Sequence, residues 1–159
     1  MFTIEYATLK DIPSMMNIIE ESMPLLPDSD WFVGDTAEFY AKHIDECGFT
    51  LKAVSKSNNT IAAYFTVRYP GLSEDNCGYD LGYPKTELLK VAHMETCVVH
   101  PDYRGRHIAV NMVTLGTKYL KDAGMREAYL GYTYTGLDHM YGYSGYKVCI
   151  YYMMAKKTL

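Results

Sequence analysis

The chain lacks the short motifs that mark the commonest metal and nucleotide sites. It has four cysteines without a Cys-x-x-Cys pair and five histidines without a His-x-x-x-His element, whereas zinc sites are built on such spacings. It also has no Gly-x-x-x-x-Gly-Lys-Ser/Thr loop and no Gly-x-Gly-x-x-Gly turn. We therefore expect no metal, no P-loop and no Rossmann dinucleotide site.

Basic residues and long apolar runs are scarce as well. Lys and Arg number 15 against 19 Asp and Glu, for a net charge of -4, whereas a nucleic-acid-binding face is expected to be basic. No apolar run approaches the roughly 20 residues that span a bilayer, and the N-terminus has no basic-then-apolar signal. We therefore expect no nucleic-acid partner, no membrane insertion and a reduced, cytoplasmic protein.

Length and composition predict one domain over residues 1–159. Hydrophobic residues make up 48% of the chain, which at this size is enough for one substantial core. The oligomeric state is left open, a homodimer included.

Hydrophobic periodicity predicts an α/β fold in the element order βααβββαβαβ. The predicted strands cover residues 2–6, 49–55, 60–69, 91–99, 126–134 and 148–156. The predicted helices run from Thr8 to about Met23, from Asp35 or Thr36 to a C-cap at Gly48, from Ile108 onward, and over residues 136–143. Antiparallel early strands and a parallel pair bridged by the long helix give a layered α/β sheet rather than a barrel.

The central stretch of the chain carries the main functional signal. A β-rich run, Val91–Val99, ends in a turn that contains Gly105, and apolar residues at helical spacing begin at Ile108. The first amides of a helix lack intrahelical acceptors and lie at the positive end of its dipole, so this junction predicts an anion site. Arg104 and Arg106 add positive charge. An ordinary strand-to-helix connection with solvated arginines is the alternative.

This stretch, CVVHPDYRGRHIA, resembles motif A of the GNAT superfamily of acetyl-CoA-dependent N-acetyltransferases. In the signature Gln/Arg-x-x-Gly-x-Gly/Ala, Arg104 fills the first position and Ala109 the last, while His107 stands where the family has its middle glycine. The resemblance implies a mostly antiparallel mixed sheet with a splayed parallel strand pair and about four flanking helices. It also implies that strand and loop backbone bind acetyl-CoA. The implied binding residues are Cys97, Val98, Val99, Arg104, Gly105, Arg106, His107, Ile108, Ala109 and Val110.

Acyl transfer from a thioester to an amine requires a proton for the departing thiolate. The sequence MYGYSGY resembles the family's Leu-Tyr-x-x-x-Gly-Phe element, and the resemblance implies that Tyr141 is the general acid. Because the chain has 16 tyrosines, a packed core tyrosine is the alternative.

The same reaction requires that the amine lose a proton. The sequence HMETCVV resembles the His-x-Glu start of this strand in small-amine GNAT enzymes, which makes Glu95 the candidate base. Strand alternation predicts that Glu95 shares a face with His93 and Cys97, and burial is expected to raise its pKa. The alternatives for the base are His93 and a water molecule. A further alternative is that the side chains of Glu95 and His93 are both purely structural.

These observations predict an N-acetyltransferase that moves an acetyl group from acetyl-CoA directly to a primary amine of a small molecule or peptide. The alternative is a non-catalytic acyl-CoA-binding or interaction domain. A nucleophilic Cys97 is a weaker alternative, because no local charge pattern lowers its pKa. The amine is expected to approach over residues 24–35 and 70–89, which carry acidic side chains. Those acidic residues include Asp28, Asp30, Glu74 and Asp75.

Overall fold

The computed structural model describes residues 1–27, 32 and 34–130. In this part of the chain five strands form one sheet in the order β1-β2-β3-β4-β5. The strands are β1 Phe2–Tyr6, β2 Gly48–Ser55, β3 Ile61–Arg68, β4 Val91–Val99 and β5 Glu127–Leu130. The helices are α1 Ile12–Ser22, α2 Ala37–Asp45, α3 Lys85–Leu88 and α4 Ile108–Asp122.

Neighbouring strands from β1 to β4 are antiparallel, whereas β4 and β5 are parallel and are joined by α4. The predicted mixed sheet, with its bridged parallel pair and four flanking helices, is confirmed. The predicted helix over residues 136–143, the last strand over residues 148–156 and the end of the fifth strand lie outside the described residues.

Helices cover both faces of the sheet. On one face α4 packs on a buried cluster that includes Phe65 and Met94, and on the other α1 and α2 pack on a cluster that includes Tyr64 and Val98. The approach of α4 is close, because a Cβ at Gly116 would lie 2.6 Å from the Phe65 ring. The sheet therefore has an α4 face and an α2 face.

The helix starts follow the local sequence signals. Thr8 and Asp11 form the predicted acidic capping box, with the Thr8 amide donating to the Asp11 carboxylate at 2.7 Å. The Thr36 hydroxyl caps α2 by accepting from the Phe39 amide at 3.2 Å.

The predicted glycine C-cap of the second helix is wrong. The C-cap residue is Glu46, and Gly48 instead begins β2. A Cβ at Gly48 would lie 2.0 Å from the carbonyl oxygen of Val67 on β3, so close packing of two strands requires the glycine.

A β-bulge interrupts the pairing of β4 with β3. Phe65 pairs with Cys97 and Val67 pairs with Met94, so the single β3 residue between them faces both Glu95 and Thr96. A bulge shifts the alternation of side chains by one residue. The expectation that Cys97 shares a face with His93 and Glu95 is therefore wrong. Cys97 lies on the α4 face beside Phe65, because of the bulge, and the other two lie on the α2 face.

Candidate active site

A surface pocket of about 200 Å³ lies at the junction of β4 and α4. It brings together Val99 and the seven predicted loop residues 104–110. Its lining is Val99, Tyr103, Arg104, Gly105, Arg106, His107, Ile108, Ala109 and Val110. The other two predicted binding residues do not line it, since Cys97 packs beneath it on the α4 face and Val98 faces α1 and α2. We call this pocket the cradle.

Two left-handed residues shape the cradle. Gly105 has φ +74° and His107 has φ 58° and ψ 20°, a conformation that glycine adopts at little cost and other residues rarely adopt. A Cβ at Gly105 would meet no atom within 4 Å, so the backbone there borders open space. The left-handed position of His107 explains physically why a glycine is expected at this point of the loop.

The helix end that opens on the cradle offers unpaired donors. The first intrahelical bond joins the Asn111 amide to the His107 carbonyl at 3.1 Å, so the amides of Ile108, Ala109 and Val110 have no acceptor within the helix. With the positive end of the helix dipole behind them, these amides fit a diphosphate.

The two arginines are held at the rim of the cradle. Arg106 lies over the Tyr103 ring, with its Cζ atom 5.4 Å from the ring centroid, and donates to the Asp102 carbonyl at 3.1 Å. Arg104 donates from Nε to the Val99 carbonyl at 3.3 Å. Both side chains are exposed, so their charge faces solvent beside the helix end.

On the α2 face, Glu95 belongs to an ion-pair network. Its carboxylate accepts from Arg68 Nε at 2.6 Å, and the same guanidinium donates to Asp75 at 2.7 Å. Burial raises the pKa of Glu95, but hydrogen bonds to His93 and Arg68 outweigh burial, and the net pKa is lowered. The expected rise in the pKa of Glu95 is therefore wrong, because a guanidinium stabilises the ionised form.

Both ring nitrogens of His93 have protein partners. Arg68 Nη2 lies 2.8 Å from its Nδ1, and the Cys77 amide donates to its Nε2 at 3.2 Å. Because both ring nitrogens are occupied, the geometry disfavours His93 as the group that removes a proton from a substrate.

A polar cluster that the sequence did not reveal lies beside Glu95 on the α2 face. Thr96 Oγ1 donates to the Asp35 carboxylate, and the hydroxyls of Tyr40 and Tyr64 are hydrogen-bonded at 3.0 Å. Burial raises the pKa of Asp35, and the charge of Glu95 adds to the rise, against the opposing hydrogen bond from Thr96. From the sequence, Asp35 is only one of two candidate first residues of α2. No sequence signal predicts its contact with Thr96, which lies 61 residues away on β4.

The thiol of Cys97 is unsuited to nucleophilic attack. It packs against the cluster under α4, and burial raises its pKa to about 12. Because the thiolate is the reactive form, the geometry argues against a cysteine mechanism.

Residues 70–89, which include the one-turn helix α3, dock on the α2 face. Asp75 pairs with Arg68, and the Tyr83 hydroxyl donates to the Glu127 carboxylate at 2.7 Å. Buried Asn76 donates to the carbonyls of Gly71 at 2.7 Å and of Leu88 at 3.1 Å. The loop therefore forms a wall beside the network of Arg68. Tyr141, Asp28 and Asp30 lie outside the described residues.

Two structural features are stated of the described residues alone. None of their helices combines the length and apolar character needed to cross a membrane. They also contain no group of three or more His, Cys, Asp or Glu side chains that could hold a metal ion.

Solved structures of similar fold were found across the full length of the chain. Glucosamine-6-phosphate N-acetyltransferase from Arabidopsis thaliana matches with a TM-score of 0.65 and 20% identity, covering 98% of each chain. Ribosomal-protein-alanine N-acetyltransferase from Brucella melitensis biovar Abortus 2308 matches at 0.60 and 15%, covering 100% of each chain. AAC(6')-Iy, solved with the bisubstrate analogue CoA-S-monomethyl-acetylneamine, matches at 0.68 and 13%, covering 100% of this chain and 99% of the other. At these identities the likeness shows the fold.

Sequence comparison assigns the family. A search of curated protein sequences finds no match. The sequence model of the Acetyltransferase (GNAT) family, however, matches residues 12–143, which is most of the chain and includes β4, the cradle and α4. The protein therefore belongs to the GNAT acetyltransferase family.

Proposed function

We propose that the protein is an acetyl-CoA-dependent N-acetyltransferase that acetylates a primary amine of a small molecule or peptide by direct transfer. The observation that carries the proposal is the cradle, in which a left-handed loop aims the first amides of α4 at open space beside two arginines. Acetyl-CoA would supply the acetyl group as a thioester, and its diphosphate is the anion that such a helix end suits.

The structural neighbours support this choice of co-substrate and acceptor. AAC(6')-Iy was solved with a CoA conjugate of an acetylated amine, and the names of the other two neighbours describe N-acetyl transfer to an amino sugar phosphate and to a protein alanine. Amino sugars, aminoglycosides and peptide N-termini are therefore the acceptors to test first. The choice among them, the cytoplasmic location and one domain over residues 1–159 stay predictions.

Each part of the chain has a proposed role. The backbone of residues 104–110 and Val99 hold the coenzyme, with Cys97 and Val98 contributing strand backbone. Tyr141 donates a proton to the leaving sulfur. Glu95 stays a candidate base, although its lowered pKa makes it a weak one.

The proposal is tested by binding and turnover together. We expect acetyl-CoA to bind in a calorimeter and to release free thiol with at least one amine from a panel of glucosamine 6-phosphate, neamine, spermidine and an alanine-initiated peptide. The double variant Gly105→Val with Ala109→Leu should abolish binding, because the side chains fill the cradle and Val cannot adopt φ +74° without strain.

Gly82→Val is the matched control for that variant. Gly82 has φ +71° and open space around its Cβ position, so it carries the same backbone strain in the loop of residues 70–89, away from the cradle. Acetyl-CoA that bound the cradle variant as tightly as the control would disprove the cradle. Binding without thiol release from any amine would favour the non-catalytic alternative.

A further inference from the structure

Asp35 and the cradle both contact strand β4. Its carboxylate accepts from Thr96 Oγ1, and Thr96 belongs to the bulge in β4. Val99, which lines the cradle, is three residues farther along, about 10 Å at the rise of an extended strand. Asp35 therefore lies over the part of β4 that leads away from the cradle, on the face where Glu95 also lies.

The acidic side chains near Asp35 have a cationic partner, whereas Asp35 does not within the described residues. Arg68 is the nearby guanidinium, and it is occupied by Glu95 at 2.6 Å and Asp75 at 2.7 Å. Within residues 1–27, 32 and 34–130, Asp35 takes part in no ion pair. The titratable groups that face it are Glu95 from β4, Arg68 and Tyr64 from β3, and His43 and Tyr40 from α2.

The two carboxylates suit different tasks. Glu95 is ionised and committed to Arg68, whereas Asp35 is half-buried, receives a hydroxyl hydrogen bond and has its pKa raised by burial. A carboxylate without a cation attracts an ammonium ion, and a carboxyl whose charged form is disfavoured accepts a proton more readily. When the pKa values of two neighbouring carboxyls are shifted in opposite directions, the two groups are suited to different catalytic roles.

We propose that Asp35 binds the ammonium form of the acceptor and takes its proton, so that Asp35 rather than Glu95 is the base of the acetyl transfer proposed above. The inference rests on that proposed function.

The primary amine acceptor enters as an ammonium ion, which has three N–H bonds. One N–H bond of the ammonium breaks, its proton passes to the Asp35 carboxylate, and the lone pair of nitrogen forms the bond to the acetyl carbon. The electrons of the C–S bond leave with sulfur, which takes a proton from the general acid. A second N–H bond of the acceptor nitrogen breaks as the amide forms, and its proton passes through water to the deprotonated general acid. Asp35 returns its proton to water after the amide product leaves.

The test compares Asp35→Asn with Glu95→Gln in the full-length protein. Asn keeps the shape of Asp and can still accept from Thr96, so the fold is preserved, and thermal melting and acetyl-CoA affinity should match the wild type. With the best acceptor of glucosamine 6-phosphate, neamine, spermidine and an alanine-initiated peptide, Asp35→Asn should lower kcat/KM by at least about 100-fold near neutral pH. Glu95→Gln should lower it by less.

The pH profile separates a base from a structural residue. In the wild type, kcat/KM should rise as Asp35 ionises and fall as the free acceptor loses its proton, because the reacting pair is carboxylate and ammonium. In Asp35→Asn it should instead rise with pH through the pKa of the acceptor, since only the free amine can react. Thr96→Val removes the hydrogen bond that lowers the pKa of Asp35, so its acidic limb should move to higher pH.

The outcomes are distinguishable. An Asp35→Asn variant with the rate and pH profile of the wild type would overturn the role of Asp35 while leaving acetyl transfer intact, and so would a Glu95→Gln variant that alone loses the acidic limb. A wild type that releases no thiol with any acceptor would overturn the proposed function and this inference with it.

Discussion

The left-handed backbone of His107 leads to a prediction with a definite size. An L-residue in this region costs about 1–2 kcal/mol, and His107, with φ 58° and no side-chain capping bond, has nothing local to offset the cost. Glycine avoids it but loses about 0.5–1 kcal/mol more chain entropy on folding. His107→Gly should therefore stabilise the protein by about 0.5–1 kcal/mol. At about 2–4 °C per kcal/mol for a chain of this size, the melting temperature rises by about 1–4 °C.

His107→Val should have the opposite effect. A β-branched residue is a marked outlier at positive φ, so we expect the melting temperature to fall by about 2–4 °C per kcal/mol of added strain. If the loop relaxes, rebuilding the cradle on binding costs about the same 1–2 kcal/mol. The dissociation constant for acetyl-CoA, measured by calorimetry, should then rise about five- to thirtyfold.

Asn59 provides the matched control. It has φ 57° in the turn between β2 and β3, where its amide donates to the Ser55 carbonyl at 2.9 Å. Asn59→Gly and Asn59→Val should shift the melting temperature in the same directions as the His107 variants but leave acetyl-CoA affinity unchanged. If Asn59→Val lowers the melting temperature while His107→Val changes neither quantity, His107 is not left-handed and the cradle geometry is wrong.

Two further predictions concern Tyr141, the proposed general acid, and the ion-pair network of Arg68. Tyr141→Phe should lower the single-turnover rate at least about 100-fold without changing acetyl-CoA affinity, because only the hydroxyl is lost; full activity would make the tyrosine a packing residue. Arg68→Met should cost about 1.5–3 kcal/mol in urea denaturation at about pH 7, since it leaves the half-buried Glu95 carboxylate without its guanidinium. Because the folded pKa of Glu95 is lowered, the pair stabilises the protein above the unfolded pKa of about 4.3 and this stabilisation is lost as pH falls through the folded pKa. The cost should therefore shrink below about pH 4, and a cost independent of pH would remove the ion pair from the explanation.

Local signals predicted the elements that position the cradle. The bounds of β4, Val91–Val99, and the start of α4 at Ile108 agree with the structure, because each has a strong period of its own and a glycine-containing turn lies between them. The start of α2 at Thr36 was likewise predicted from a residue whose side chain caps the helix. Such features depend on a few neighbouring residues, which a single sequence shows directly.

The polar cluster depends on contacts that a local pattern cannot show. Against the effect of burial, the pKa of Glu95 is lowered by hydrogen bonds from His93 and from Arg68, which lies 27 residues away on the next strand. Burial raises the pKa of Asp35, and a hydrogen bond from Thr96, 61 residues away, opposes the rise. Alternation along β4 also gave the wrong face for Cys97, because the extra residue of a bulge is visible only when both strands are paired. These differences concern tertiary packing rather than element type.

The bulge has a consequence for the whole site. Strict alternation along β4 would place Val99 on the same face as Glu95, and Thr96 on the opposite face. With the extra residue, Glu95 and Thr96 both face α2, where Thr96 holds Asp35, while Val99 faces α4 and lines the cradle. One strand therefore contributes to both sides of the sheet. Val99 at its end lines the cradle on the α4 face, and Glu95 and Thr96 in its middle face α2. Because a shift of register by one residue would exchange these faces, the bulge is the feature of β4 on which the combination of cradle and carboxylates depends.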